Sequence, residues 1–398
     1  MTMKTLKLSF ALTSTLALAP LVTRAEEFPG GEVSADEFEK GFGEAGGISN
    51  TQKDSAEADR LRIGGTLAGD ANVIVAEDRD YFYSVSTLWL YFDARLRSDI
   101  RAYTKLRGVV LSSDDPNAVA SLPGGISDVE EVKLMFNAHK RVFFTVGKQK
   151  IKWGSGKFWN PTDVVNSAPR DILYSDDRRS GVSILKTHMP VGSANLYLVN
   201  TFDDAERVRE IGSAVRAEIP VGPAEFALTA AKFYERDAIF GADVSAGVGP
   251  VDVHGEVAFS DGEVGDWVTG VTYELAYNDN DSILFTGEYF HNREGVDSAN
   301  YAALLMAGTY VPFQTAKHYG MLTVVAPKPG SWNDTTLSLF NLVNLSDGSA
   351  LSKLSASFTL MQDLVFEPSV SVRYGDKDGE LRLLGQKFDV GTRLRVDF

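Results

Sequence analysis

The sequence predicts an all-β chain, a transmembrane up-and-down antiparallel β-barrel of about eighteen strands with short turns at one end and long loops at the other. Three observations carry this expectation. From position 60 onward apolar and polar residues alternate with a period of two, the spacing that sends successive strand side chains to opposite faces. Short connections alternate with longer ones along the same stretch. Beyond the first 25 positions no run approaches the roughly 18 continuous apolar residues of a membrane helix. A mean hydropathy of −0.10 suits a wall in which only alternate residues meet lipid.

In chain order, positions 1–25 read as a cleaved export signal, with Lys4 and Lys7 before an apolar run and a small residue at Ala25. Removing that segment, with Lys4, Lys7 and Arg24, takes the formal charge from −15 to −18. So acidic a chain argues against a nucleic-acid partner. Positions 26–59 are acidic, Gly-rich and poor in large apolar residues, so they cannot build a core. They read as a periplasmic arm, or as a plug inside the lumen. Positions 60–398 are the barrel.

Strands are expected at 60–72, 82–96, 99–112, 130–138, 140–152, 181–188, 194–201, 209–219 and 223–234, then at 240–248, 251–260, 266–277, 281–291, 316–326, 333–344, 351–361, 364–374 and 387–398. The short connections, such as Gly249-Pro250 and Gln362-Asp363, carry the Gly, Pro, Asn and Asp of tight hairpins. The longer ones fall at 113–129, 153–180, 202–208, 235–239, 261–265, 292–315, 345–350 and 375–386. A soluble sandwich also repeats short strands but gives no reason for loop lengths to alternate. The apolar stretch from Tyr301 to Phe313 is too long for a turn and reads as a short helix, either a lid or packing over the barrel mouth.

Charge parity assigns the faces, because Lys or Arg on the lipid side at mid-bilayer costs about 2–4 kcal/mol. In 251–260, Val251, Val253, Val257 and Phe259 face lipid, while Asp252, His254 and Glu256 face a polar lumen. Inward basic residues, among them Arg101, Lys105, Arg393 and Arg395, come from the first and last strands, which closure makes neighbours. Inward acidic residues, among them Asp252, Glu256 and Glu288, come from the middle of the chain. The expectation is a basic arc facing an acidic arc across water, a field that suits small polar or charged solutes. Pairing between adjacent strands is the alternative.

The final stretch has Phe388, Val390, Thr392, Leu394, Val396 and Phe398 at every second position, with charged residues between most of them. It resembles the closing strand of outer-membrane β-barrels. That resemblance implies an outer membrane of a diderm bacterium, contact with its lipid, and recognition of Phe398 by the barrel-assembly machinery.

The densest special sequence runs from Gly147 to Asp163. Lys148, Lys150 and Lys152 share one face of an expected strand, at the lumen or its outer rim. Trp153 and Trp159 then enter the longest loop, 153–180, where Gly154 and Gly156 permit a sharp bend and Asn160-Pro161 sets a turn. Such a loop is suited to fold inward and narrow a pore; the alternative is packing on the outer rim. The motif Gly147-x-Gln149-x-x-x-Trp153-Gly154, followed by Pro161-x-Asp163, resembles alginate-export-type and related outer-membrane porins. The resemblance is local, covering about 25 residues around this motif plus the terminal strand. It implies a porin-like channel, and the alginate likeness implies an anionic solute.

Enzyme chemistry is not recognisable. The five histidines, His139, His188, His254, His291 and His318, form no H-E-x-x-H pattern. His139 and His188 fall at expected turns, and His254-x-Glu256 lacks a nucleophile module. There is no cysteine, which excludes disulfides and Cys-based zinc sites. No metal site, cofactor or oligomer signature is expected. The leading function is passive passage of small polar solutes, with a substrate-specific channel, a surface receptor or a hydrolase as alternatives.

Overall fold

The computed structural model describes residues 60–97, 99–113, 127–166, 179–203, 205–260, 262–278, 281–297 and 300–398. The expected signal (1–25) and arm (26–59) lie outside them. The strands are β1 (Leu61–Ala76), β2 (Asp80–Arg97), β3 (Ile100–Ser113), β4 (Ser127–Ala138), β5 (Val142–Gln149) and β6 (Val182–Val191). Next come β7 (Ala194–Thr201), β8 (Gly212–Val221), β9 (Ala224–Lys232), β10 (Ile239–Val248), β11 (Val251–Ser260) and β12 (Glu263–Ala276). The last six are β13 (Ser282–His291), β14 (His318–Pro327), β15 (Thr335–Asn344), β16 (Ala350–Met361), β17 (Leu364–Tyr374) and β18 (Gln386–Asp397).

Each strand pairs antiparallel with its neighbours in the chain, and β1 pairs with both β2 and β18, so the sheet closes on itself. Closure leaves no edge strand. At the seam Thr66 stands opposite Asp397 and Ala76 opposite Gln386. The register is completed by Phe398, whose N–H donates to the Gly65 carbonyl (2.9 Å) and whose carbonyl accepts from the Gly65 N–H (2.7 Å).

Alternation sorts the wall as expected in β11, where His254 and Glu256 are buried inside and Val253 is exposed outside. In β18 Phe388, Val390 and Leu394 are exposed outside, while Arg393 is buried inside. Ile63, Val110, Phe240 and Leu354 extend the same outer apolar belt around the barrel. At the short-turn end Gly222 and Gly249 take φ near 60° in two-residue hairpins, the left-handed conformation those turns require. His139 and Lys140 adopt it without glycine, at φ 54 and 55°. There the Asn137 side chain accepts from the Lys140 N–H at 3.0 Å.

Three expectations need correction. Strands β1 and β12 run further into the long-loop end than expected, so the connections at 77–79 and 261–262 are short and alternation of loop length is looser. Continued pairing is the reason: Val75 opposite Asp80, and Ser260 opposite Glu263 after a bulge. Strand β6 continues to Val191, which takes His188 out of a turn and into the wall. Its ring there bonds Asn195 (2.9 Å) and stacks on Tyr197. Strand β5 stops at Gln149 rather than 152.

The expected short helix is α1 (Tyr301–Ala307), capped by the Asn300 side chain on the Ala303 N–H and ended by Gly308 at φ 69°. Tyr301 is its buried residue, and the Asn344 side-chain amide of β15 donates to the Tyr301 hydroxyl at 3.2 Å. The helix therefore packs over the long-loop end of the barrel.

Candidate functional site

Where β5 ends the chain leaves the wall, and residues 150–166 run inside the barrel. A first group, Ile151, Trp153, Val164 and Val165, packs on inward Ile184, Val199, Ala214 and Ala231 of β6–β9. Trp159, 2% exposed, belongs to a second cluster with Val268, Phe290, Tyr319 and Leu342 of β12–β15. Its ring stacks on Phe290 at 5.2 Å between centroids, and its indole N–H donates to the Phe313 carbonyl (2.9 Å). Phe158 approaches Phe340 of β15 at 6.0 Å.

Between these apolar anchors two carboxylates of the wall hold the loop backbone. Glu256 Oε1 accepts from the Gly156 N–H (3.3 Å) and the Asn160 amide (3.1 Å), and its Oε2 accepts from the Thr162 hydroxyl (2.5 Å). Glu288 accepts from the Lys157 and Phe158 N–H groups, the latter at 2.9 Å, and pairs with His254 Nε2 at 2.7 Å. These contacts explain the glycines. Gly154 sits at φ +98°, and a Cβ there would collide with the Glu256 carboxylate, while one at Gly156 would meet the Trp159 carbonyl. The loop is closed by Asp163, which accepts from the Trp153 N–H (3.2 Å) and from Arg179 (2.9 Å). Burial pushes the Asp163 carboxyl up to about 6 against the opposing pull of Arg179. Burial also pulls the Lys157 ammonium down, against the charges of Glu288 and Asp252.

The three lysines do not form one strand face. Strand β5 ends at Gln149, so Lys150 and Lys152 lie beyond the strand. Lys148 pairs with Asp128 (3.2 Å), Lys150 with Glu130, and Lys152 donates to the Gly156 carbonyl (3.0 Å). Sequence reading missed Glu130, because a β-bulge between Lys105 and Leu106 in the β3–β4 register shifts the parity of β4 at that point. Glu130 also accepts from Trp89 (3.0 Å) and sits 3.5 Å from Lys105.

The charge arcs differ from expectation in how they are satisfied. Register turns Arg101, Lys105, Arg393 and Arg395 inward on β3 and β18, across the barrel from β11 in the strand order. Yet Arg101 forms two bonds to Asp93 (2.6 and 2.7 Å), Arg395 lies 3.4 Å from Asp397, and Arg393 lies between Asp70 (3.8 Å) and Glu367 (3.9 Å). Glu256 and Glu288 do not face them over open water, because the loop covers both. On the same wall Arg216 binds Asp243 through two nitrogens (2.6 and 3.0 Å). Adjacent inward side chains stand about 5 Å apart, so local pairing prevails over a field spanning the lumen.

Above the loop another buried carboxylate gathers the long-loop end. Glu380 opens a 3-10 turn (Glu380–Gly385) and is 2% exposed. It accepts from the Tyr319 hydroxyl (2.7 Å), the Asn344 amide (2.8 Å), the Phe313 N–H (3.2 Å) and the Tyr310 hydroxyl (3.3 Å). Burial raises its carboxyl from 4.5 to about 7, more than these donors lower it. An acid raised in this way contributes stability that is full below its unfolded value and lost as pH rises through the folded one. Segments 301–313 and 375–385 should therefore exchange amide hydrogens faster at about pH 8 than at about pH 5.5, after correction for intrinsic rates. Glu380→Gln should flatten that difference; an unchanged pH dependence would assign it to another group.

No family model matches the chain, and no curated protein does. Among solved structures it is similar to OccK11 (OpdR) of Pseudomonas aeruginosa, at 8% identity over 85% of this chain and 96% of that one, with a TM-score of 0.55. It is also similar to OprB of Pseudomonas putida, at 9% identity over 87% and 96% of the two chains, with a TM-score of 0.49. At 8% identity the likeness to OccK11 is one of fold, a closed antiparallel barrel.

Proposed function

We propose that this chain is an outer-membrane channel for small polar or charged solutes, narrowed from within by residues 150–166. The observation that carries this reading is the loop itself, held inside the barrel by Glu256 and Glu288. An apolar outer belt with a charged interior is the pattern of a wall with lipid outside and water inside. The short-turn end then faces the periplasm and the long-loop end the exterior. The loop's described apolar anchors lie mainly on β6–β16 and Lys150 reaches Glu130 of β4, so the solute path is proposed against β17, β18 and β1–β3, where Arg101, Lys105, Arg393 and Arg395 point inward. The motif at Gly147–Asp163 supports an anionic saccharide as one such solute, in the manner of alginate-export-type porins.

A hydrolase is the poorer reading. His254 is engaged by Glu288, and both Glu256 oxygens accept from the loop, which leaves these groups positioned as anchors.

Planar-bilayer recording of the refolded full chain tests the proposal. Stepwise currents are the expected result, and a silent, folded barrel would remove the channel reading in favour of a receptor. Selectivity tests the path. Arg393→Ala with Arg395→Ala should move the reversal potential towards cation preference at low salt. The shift should shrink when the screening length falls from about 10 Å at 0.1 M to about 3 Å at 1 M. No shift at low salt would place the path elsewhere.

A further inference from the structure

The outer face of the wall carries a cluster that the channel does not use. Inward parity on β13 belongs to Leu284, Glu288 and Phe290, and on β14 to Tyr319 and Met321, all buried. Tyr289, His291 and His318 therefore point outward, at the long-loop ends of their strands. His291 and His318 stand directly opposite each other in the β13–β14 register. Their Nδ1 atoms are 3.4 Å apart, and the Tyr289 hydroxyl lies 2.6 Å from His318 Nδ1. Trp267, opposite His291 on β12, flanks the group at 5.7 Å between ring centroids.

Aromatic residues at this height are expected where a barrel meets the headgroup region. That accounts for Trp267 and Tyr289, but not for two imidazoles converging through the same ring nitrogen. A neutral imidazole carries one N–H and one lone pair. Two Nδ1 atoms in contact need a lone pair on at least one of them, and the Tyr289 hydroxyl shares a hydrogen with His318 Nδ1 in either direction. The hydrogens between these atoms occupy the place of a cation. Two nitrogen ligands at about 2.0–2.1 Å from a tetrahedral metal are about 3.3–3.4 Å apart, which is the separation observed.

We propose that His291 and His318 form a two-imidazole chelate for a divalent transition-metal ion on the outer rim, with the Tyr289 oxygen beside it and water completing the shell. Among the described residues no group of three or more His, Cys, Asp or Glu has metal-binding geometry, so this is a site of moderate affinity. The tetrahedral spacing suits Zn2+, while Cu2+ prefers a tetragonal shell that would draw the two nitrogens closer and binds imidazoles more tightly. A bound ion would tie β13 to β14 at the two ends of the 292–317 connection. Metal capture here is independent of what the lumen passes.

The test uses the refolded full chain without an added polyhistidine tag, freed of metal by chelator and titrated with Cu2+ and then Zn2+. The expected result is one saturable Cu2+ per barrel, whose electron paramagnetic resonance spectrum shows two imidazole nitrogens, and which only a large excess of Zn2+ displaces. His291→Ala and His318→Ala should each remove it. His139→Ala, in an exposed turn, should leave it intact. Folding of each variant is read by heat-modifiable mobility, and the wild-type spectrum is decisive if a variant fails to fold. A spectrum with fewer than two nitrogens, or unchanged binding in the folded double variant, would overturn the site.

Discussion

Replacing Glu256 and Glu288 together by alanine is expected to release the internal loop and raise single-channel conductance, with looser selectivity. Five loop groups, three backbone N–H and two side chains, lose their acceptor in that variant. A buried polar group left without a partner costs about 1–3 kcal/mol. Loss of even 2 kcal/mol shifts the balance between inward and released loop by more than about tenfold, since 1.4 kcal/mol is a factor of ten. The apolar anchors at Trp153 and Trp159 remain, so the released state should appear as flickering between two conductance levels rather than one wide pore. Glu256→Gln keeps the shape and one acceptor and should give an intermediate effect. Deleting Gly154–Thr162 should give the wide level permanently. If the double alanine variant folds and its conductance is unchanged, the loop does not set the width of the path.

The parts of this molecule that obey local rules are legible in its sequence. The period of two in 251–260 and 387–398 assigns faces correctly because one misplaced Arg or Glu on the lipid side is costly enough to be excluded. The inward loop announces itself through Gly154, Gly156 and two tryptophans, residues that make sense only where backbone meets something close. What they meet is not legible. Glu256 lies 100 positions beyond Gly156 and Glu288 lies 130 beyond Phe158, and their parity says only that they point inward. They look like one side of a field because nothing local distinguishes a free lumen carboxylate from one already accepting hydrogen bonds. Glu130 is hidden differently: a bulge of a single residue reverses parity, and Glu130-Glu131 gives no sign of where it falls. Likewise His291 and His318 become neighbours only through the β13–β14 register.

Removing Phe398, or crowding its partner, should cost more than any lumen substitution, because both act on closure. Phe398 makes two backbone hydrogen bonds to Gly65, at 2.9 and 2.7 Å, one residue beyond the last β1–β18 pair. Its ring lies over the same glycine, so that a Cβ at Gly65 would strike the aromatic carbons. An aromatic ring covering a strand glycine restores the packing that the missing side chain would have supplied. Deleting Phe398 strips both contacts from the seam and leaves the Gly65 N–H and carbonyl unpaired near lipid, where unsatisfied backbone is most costly. It also removes the aromatic end expected to be read by the assembly machinery. Levels of heat-modifiable, folded barrel in the outer membrane should fall sharply, with unfolded chain retained in the periplasm. Gly65→Val separates the two causes. It leaves Phe398 available for recognition while displacing its ring, so it should reach the membrane yet give a barrel that melts at lower temperature. Should both variants accumulate as folded barrel with unchanged heat stability, the Phe398–Gly65 contact would not be what closes the wall.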